Sequence, residues 1–157
     1  MHQAIAFRTA YLVVRSAEDA EEVAADAFLK AYRALGRFRR GKPFRPWLLT
    51  IVANEARNSL RGAARRQALA LRVADQGRPG DAAPSPVAAA IGAERRSRLL
   101  EALGRLPDDQ RLAVECRFFL ELDEAETAAV LGVRRGTATS RLSRALDRLR
   151  EEVPEDA

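Results

Sequence analysis

Asn54, Arg57, Asn58 and Arg61 fall at i, i+3, i+4 and i+7, a spacing that lines two amides and two guanidiniums along one stripe of a helix. Such groups can hold bases or phosphates, although on residue type alone the amides read equally well as ordinary surface groups. Near the C-terminus Ser140, Arg141, Arg144 and Arg148 form a second polar helical face. Arginine can reach guanine edges with two hydrogen bonds, and serine can bond a phosphate or a base. Most protein–DNA hydrogen bonds go to the backbone, which favours phosphate contacts for Arg141 and Arg144.

Catalytic chemistry finds no comparable support. One cysteine (Cys116) and one histidine (His2) do not make a usual zinc ligand set. No GxxxxGK[ST] loop and no GxGxxG after a strand is present, and no carboxylate pair sits in a motif that names a reaction. The residues therefore predict no catalytic site, no metal, no cofactor and no enzyme. Cys116 shares an apolar face with Leu112 and Phe119 and reads as a buried structural thiol.

The charge distribution supports a polyanionic partner. The 157 residues carry a net +5, but residues 1–74 hold 14 Lys/Arg against 6 Asp/Glu, and residues 75–157 hold 13 against 16. From Lys30 to Arg66 the only acid is Glu55, whereas Glu18, Asp19, Glu21, Glu22 and Asp26 form an acidic stretch with no base inside it. A block so one-sided repels itself and is relieved by phosphate. A single cysteine excludes an intramolecular disulfide and favours a reducing compartment. No signal peptide and no membrane-spanning run is visible, so a soluble cytoplasmic protein without membrane insertion is expected.

The elements that must position these groups read as all-α: two small helical bundles joined by a flexible linker, the second containing a helix-turn-helix. The expected boundaries are 1–74, 75–89 and 90–157. Gly77, Pro79, Gly80, Pro84 and Pro86 break regular structure in the linker. In the first bundle a short helix over 3–15 precedes a capping box at Ser16 and Asp19. The next helix has an apolar face of Val23, Ala24, Ala27, Phe28, Ala31 and Leu35, with Gly36 as its C-terminal cap. After a basic loop, Pro46 takes the first position of a helix that turns Leu48, Ile51, Val52 and Leu60 inward. The second bundle has helices near 91–103 (Ile91, Leu99, Leu100, Leu103), one opened by Pro107-Asp108-Asp109 that buries Leu112, Cys116, Phe119 and Leu120, one over 123–131 that stops at Gly132, and one over 136–152 with Ala138, Leu142, Ala145, Leu146 and Leu149 inside. Helix, glycine turn and longer basic helix form a helix-turn-helix pattern, which an ordinary helical hairpin can also produce.

Several segments resemble the sigma-70 family, in particular its extracytoplasmic-function group. The run from Asp19 to Tyr32 resembles the polymerase-binding helix. Arg37-Phe38-Arg39 and Pro46-Trp47-Leu48-Leu49, followed by Asn54 and Asn58, resemble the promoter-melting segment. Leu103-Gly104-Arg105-Leu106-Pro107, Leu131-Gly132-Val133 and the run from Gly136 to Leu142 resemble region 4. The resemblance implies partners: the beta and beta-prime subunits of core RNA polymerase, promoter DNA, and an anti-sigma factor. It assigns polymerase binding to Asp19, Glu22, Val23, Asp26, Phe28 and Leu29. It assigns the minus-10 strand to Arg37, Phe38, Arg39, Phe44, Trp47, Asn54, Arg57, Asn58 and Arg61, where aromatic faces beside cations suit splayed bases. Trp47 can serve this role with one edge while the other joins the core. The minus-35 duplex falls to Arg135, Thr137, Thr139, Ser140, Arg141, Arg144 and Arg148. The chain departs from the family pattern at Thr50, Thr139 and Ser143, and its opening helix is shorter than usual, as a truncated start would give. Two other functions compete: a stand-alone helix-turn-helix regulator binding palindromes as a dimer, and an interaction module whose basic block meets RNA or membrane.

Overall fold

The computed structural model describes residues 2–71 and 90–153; the expected linker over 75–89 lies outside them. All regular structure among the described residues is helical: α1 (Gln3–Val14), α2 (Ala17–Ala34), a 3-10 turn (Leu35–Arg37), α3 (Phe44–Leu71), α4 (Ala90–Arg105), α5 (Asp108–Val114), a π turn (Glu115–Phe119), α6 (Glu124–Leu131) and α7 (Arg135–Glu152).

The first three helices pack on one another around a core of small residues: Ala6, Ala10, Ala20, Ala24, Ala27, Ala31 and Ala56, with Val23, Leu48 and Val52 as its larger members. Alanine lets helix backbones approach closely, because the interaxial distance follows the side chains at the contact. Ser16 caps α2 by accepting the Asp19 N–H at 3.3 Å, but Asp19 makes no return bond, so half of the expected box forms. Gly36 does not cap α2 in a left-handed conformation. The chain tightens into the 3-10 turn, which satisfies the last carbonyls locally, and the left-handed glycine is Gly41, at φ 88° in the basic loop. Pro46 is the third residue of α3, not the first. The N–H groups of the first turn have no partner within the helix, so proline costs no bond there. Leu60 lies outside the core with 42% of its surface open, while Ser59 and Gly62 are the α3 residues that stand beside Asp19 and Glu22 of α2 at this level.

Around the C-terminal core, Ala102, Leu103, Leu106, Val114, Ala145 and Leu149 pack together, with Leu142 and Val153 against them. Leu99 and Leu100 stay exposed, and the side chain of Ile91 lies outside the described residues. Phe119 is also exposed, against expectation. The π turn inserts one residue into the helical repeat and swings Phe118 and Phe119 outward, leaving Cys116 and Leu120 inside.

The two bundles are not merely tethered. Leu49 and Ala53 of α3, with Ile5 and Leu12 of α1, share a cluster with Leu112, Cys116, Leu120, Leu122 and Val130 of the C-terminal half. α3 therefore carries two apolar strips: Leu48, Val52 and Ala56 face its own bundle, while Leu49 and Ala53 face the other.

Cys116 is wholly buried in this seam, and burial, reinforced by Glu115 and opposed by Arg57, pushes its thiol up to about 12. The folded protein thus keeps a proton that the unfolded chain gives up near pH ~8.5. The stability this contributes is complete below that pH and is lost as pH rises towards 12. Urea midpoints should fall between pH 8.5 and 11 more steeply for the parent chain than for Cys116→Ala; parallel curves would contradict it.

Candidate nucleic-acid interface

The aromatic platform is built by the loop between α2 and α3 folding back on the first turn of α3. Phe38 and Trp47 lie 4.9 Å apart between ring centroids, Phe44 and Trp47 5.5 Å, and Phe38 meets Phe44 edge-on at 5.7 Å. All three rings are half-buried, and Phe44 and Trp47 pack against the N-terminal core. Trp47 thus serves the core with one side and keeps part of its surface open. Arg37, Arg39 and Lys42 are exposed beside the rings.

Along α3 the expected stripe is divided. Asn54, Asn58 and Arg61 are exposed, and Arg61 Nη2 donates to Asn58 Oδ1 at 2.5 Å. Asn58 also lies 3.5 Å from Glu55, whose carboxylate pairs with Lys30 at 2.6 Å. Arg57 leaves the stripe. It sits one turn beyond Ala53, on the strip facing the C-terminal half, and donates to the Val130 carbonyl oxygen while lying over Gly132. Burial and the neighbouring Arg61 lower its pKa. In this arrangement Arg57 is not available to DNA.

α2 presents Asp19, Glu22 and Asp26 to solvent, while Val23, at 4% exposure, belongs to the core and supports the helix from beneath. Phe28 is half-buried against the same core. Leu29, Tyr32 and Leu35 form an exposed apolar group at the end of α2, with 48%, 77% and 50% of their surfaces open. Sequence reasoning missed Tyr32 as a contact residue and placed Leu35 inside. The available signal was the mismatch of Tyr32 with the alanine stripe at 20, 24, 27 and 31, which leaves a large ring on the outer side.

The helix-turn-helix is built from local signals. Asp123 and Glu126 make a complete capping box, at 2.8 and 3.0 Å, that starts α6. Gly132 stops it at φ 69°, a conformation costly for residues with a Cβ, while its N–H and that of Val133 bond back to Ala129 and Ala128. Ala138, Ala145 and Leu149 fix α7 from within. Arg135, Thr137, Thr139, Ser140, Arg144 and Arg148 face solvent. The hydroxyls of Thr139 and Ser140 donate back to Arg135 and Gly136 carbonyls, at 3.0 and 2.8 Å, leaving oxygen lone pairs free to accept. Arg141 is more enclosed and pairs with Asp109 of α5 at 3.1 Å.

Two family profiles match the chain: Sigma-70 region 2 over residues 1–66 and Sigma-70, region 4 over residues 96–149. The chain belongs to the sigma-70 family, in its extracytoplasmic-function group. It is 36% identical to the RNA polymerase sigma-H factor of Pseudomonas aeruginosa over 138 residues, covering 84% of this chain and 72% of that protein. It is 36% identical to the sigma factor CarQ of Myxococcus xanthus over 143 residues, 91% of this chain and 79% of CarQ. It is 37% identical to the ECF sigma factor SigM of Mycobacterium tuberculosis over 146 residues, 90% of this chain and 68% of SigM. Among solved structures it resembles the sigma factor RpoE in complex with the anti-sigma factor NepR from Bartonella quintana, with a TM-score of 0.64, 26% identity and coverage of 99% and 93% of the two chains. The fold also matches CnrH in complex with the cytosolic domain of CnrY, with a TM-score of 0.61, 24% identity and coverage of 99% and 84%. The region 2 match contains the platform and the amide stripe; the region 4 match contains all of α6 and most of α7. No described helix of this sigma factor is long and apolar enough to cross a membrane.

Proposed function

We propose that this sigma factor binds the beta and beta-prime subunits of core RNA polymerase and directs initiation at its promoters, with no catalysis of its own. The observation that carries the reading is one chain combining a half-open aromatic platform flanked by arginines with a helix-turn-helix whose second helix faces solvent with Arg144 and Arg148. The first suits unstacked bases and the second a duplex major groove.

In this reading residues 1–74 hold polymerase and the minus-10 strand, 75–89 connect, and 90–157 read the minus-35 duplex. Asp19, Glu22, Asp26, Phe28 and Leu29 meet polymerase, joined by Tyr32 and Leu35. Arg37, Phe38, Arg39, Phe44, Trp47, Asn54, Asn58 and Arg61 meet the minus-10 strand, with Arg57 joining only once it leaves Val130. Arg135, Thr137, Thr139, Ser140, Arg141, Arg144 and Arg148 meet the minus-35 duplex. The protein acts in the cytoplasm, where polymerase is. An anti-sigma factor controls it; the similar sigma factor RpoE, solved in complex with the anti-sigma factor NepR, supports this.

Run-off transcription with purified core polymerase and a library of genomic fragments tests the proposal. Promoter-dependent transcripts should appear only when the protein is added. The absence of any such product across the library sinks it.

A further inference from the structure

The start of α7 is built differently from the starts of α2 and α6. Ser16 caps α2, and Asp123 with Glu126 caps α6, but α7 opens at Arg134 with no side-chain cap. Gly136, its second residue, has open space where a side chain would stand, and glycine is a poor helix former. A helix end of this kind frays readily. Thr137 lies in this first turn and is exposed. Thr139 and Ser140 tie their hydroxyls to the carbonyls of Arg135 and Gly136. The carbonyl four places before Thr137 belongs to Val133, outside the helix, and the Thr137 hydroxyl bonds to none of the described residues.

The charge around Thr137 has one sign. No acid stands between Glu126 and Asp147, while Arg134 and Arg135 lie three and two places before Thr137 and Arg141 follows it at i+4. The chain has four Arg-Arg pairs, and only this one has a hydroxyl residue two places further on. Kinases choose substrates by charge pattern, and an upstream pair of guanidiniums suits an acidic kinase cleft.

We propose that Thr137 is a phosphorylation site for a basophilic serine/threonine kinase, and that phosphate there switches off reading of the minus-35 duplex. The inference rests on the reading of α7 as the duplex-binding helix. In the transfer, Thr137 Oγ1 attacks the γ-phosphorus of magnesium-bound ATP. The new O–P bond forms as the bond from that phosphorus to the β–γ bridging oxygen breaks, the hydroxyl proton passes to the kinase's carboxylate base, and ADP leaves. The fraying first turn lets the hydroxyl line up with the leaving oxygen. The product carries a charge of about −2 at pH 7. The fold accepts this charge, because the phosphate meets the unbonded N–H groups of the first turn and has Arg134 beside it. DNA does not accept it. The phosphate repels the DNA backbone, and at i, i+4 it competes for Arg141, held in the unmodified protein by Asp109 at 3.1 Å.

The test treats the full chain with magnesium-ATP and, as probe, the catalytic subunit of cyclic-AMP-dependent protein kinase. A single phosphate is expected, mapped to Thr137 by tandem mass spectrometry, absent in Thr137→Val and incorporated about tenfold more slowly in Arg134→Gln. Protein recovered from the cells that make it should carry the same mark at some stage of growth. No phosphate at Thr137 with the probe kinase, phosphate at Thr139 or Ser140 instead, or an unmarked native protein at every stage of growth overturns the proposal. Modified and unmodified proteins are then each joined to core polymerase and titrated, by fluorescence anisotropy, against a promoter fragment that the unmodified holoenzyme transcribes. Phosphate should weaken binding about tenfold or more at about 0.05 M salt, and the gap should narrow as salt screens the repulsion. Circular dichroism should show helix content kept. Equal affinities, or a loss that accompanies unfolding, overturn the proposal. An unmodified holoenzyme that transcribes nothing sinks the sigma-factor reading, and the duplex half of the proposal with it, while phosphate at Thr137 is scored independently.

Discussion

Replacing Tyr32 by aspartate should weaken binding to core RNA polymerase about thirtyfold or more, and Leu29→Asp should do the same. Large side chains left this open on a helix whose opposite side is firmly packed form the kind of cluster that dominates protein interfaces, where a central residue is worth about 2 kcal/mol or more. Tyr32 has 77% of its surface open, and the alanine stripe of α2 is on the other side of the helix, so the change removes no core contact. Folding stability should therefore move by less than ~0.5 kcal/mol, as for other surface substitutions. Titrating labelled protein with core polymerase, alongside a thermal melt, separates the two effects. Unchanged polymerase affinity in both variants would show that this apolar group is not the docking surface.

Arg141→Ala should cost about 1–3 kcal/mol in binding to the preferred minus-35 duplex if the guanidinium grips guanine with two bonds. Arg141 is tied to Asp109 in the free protein and its side chain is 28% exposed, so reading a base means exchanging one partner for another. The pairing holds the guanidinium at the surface of α7 without leaving it unpartnered. Fluorescence anisotropy against a panel of duplexes differing at single positions measures the loss. Discrimination should collapse at one or two base pairs. An equal loss on every duplex would make Arg141 a phosphate contact, with the salt dependence reduced by about one ion.

Some of this was written plainly in the sequence. The start of α6 at Asp123, its stop at Gly132 and the inward face of α7 rest on signals within a few residues of one another, and they survive folding because nothing distant competes. The same holds for the helix start at Ser16. What escaped was set by neighbours far along the chain. Leu35 and Leu60 keep helical spacing with core residues, yet 50% and 42% of their surfaces stay open. Phe119 follows the expected repeat until the π turn adds a residue and rotates it out. Arg57 is the clearest case. Its spacing groups it with Asn54, Asn58 and Arg61, yet the strip of Leu49 and Ala53 beneath it packs on the other half and carries Arg57 there. A hydrophobic pattern on one helix does not say how many neighbours share it, so α3 reads as one-faced until the C-terminal half is placed against it. The aromatic platform was legible as residue types, whereas the mutual support of Phe38, Phe44 and Trp47 depends on how the loop folds back.

The alanine lining of the first bundle inverts the usual direction of mutational damage. Most protein interiors fail by hollowing, when a bulky side chain is trimmed. Here Ala6, Ala10, Ala20, Ala27 and Ala56 have no surface left open and little bulk to lose. Harm comes from added methyl groups, which force helix axes apart. Substitutions ordinarily counted conservative, such as alanine to valine, are the ones this half of the molecule should tolerate least.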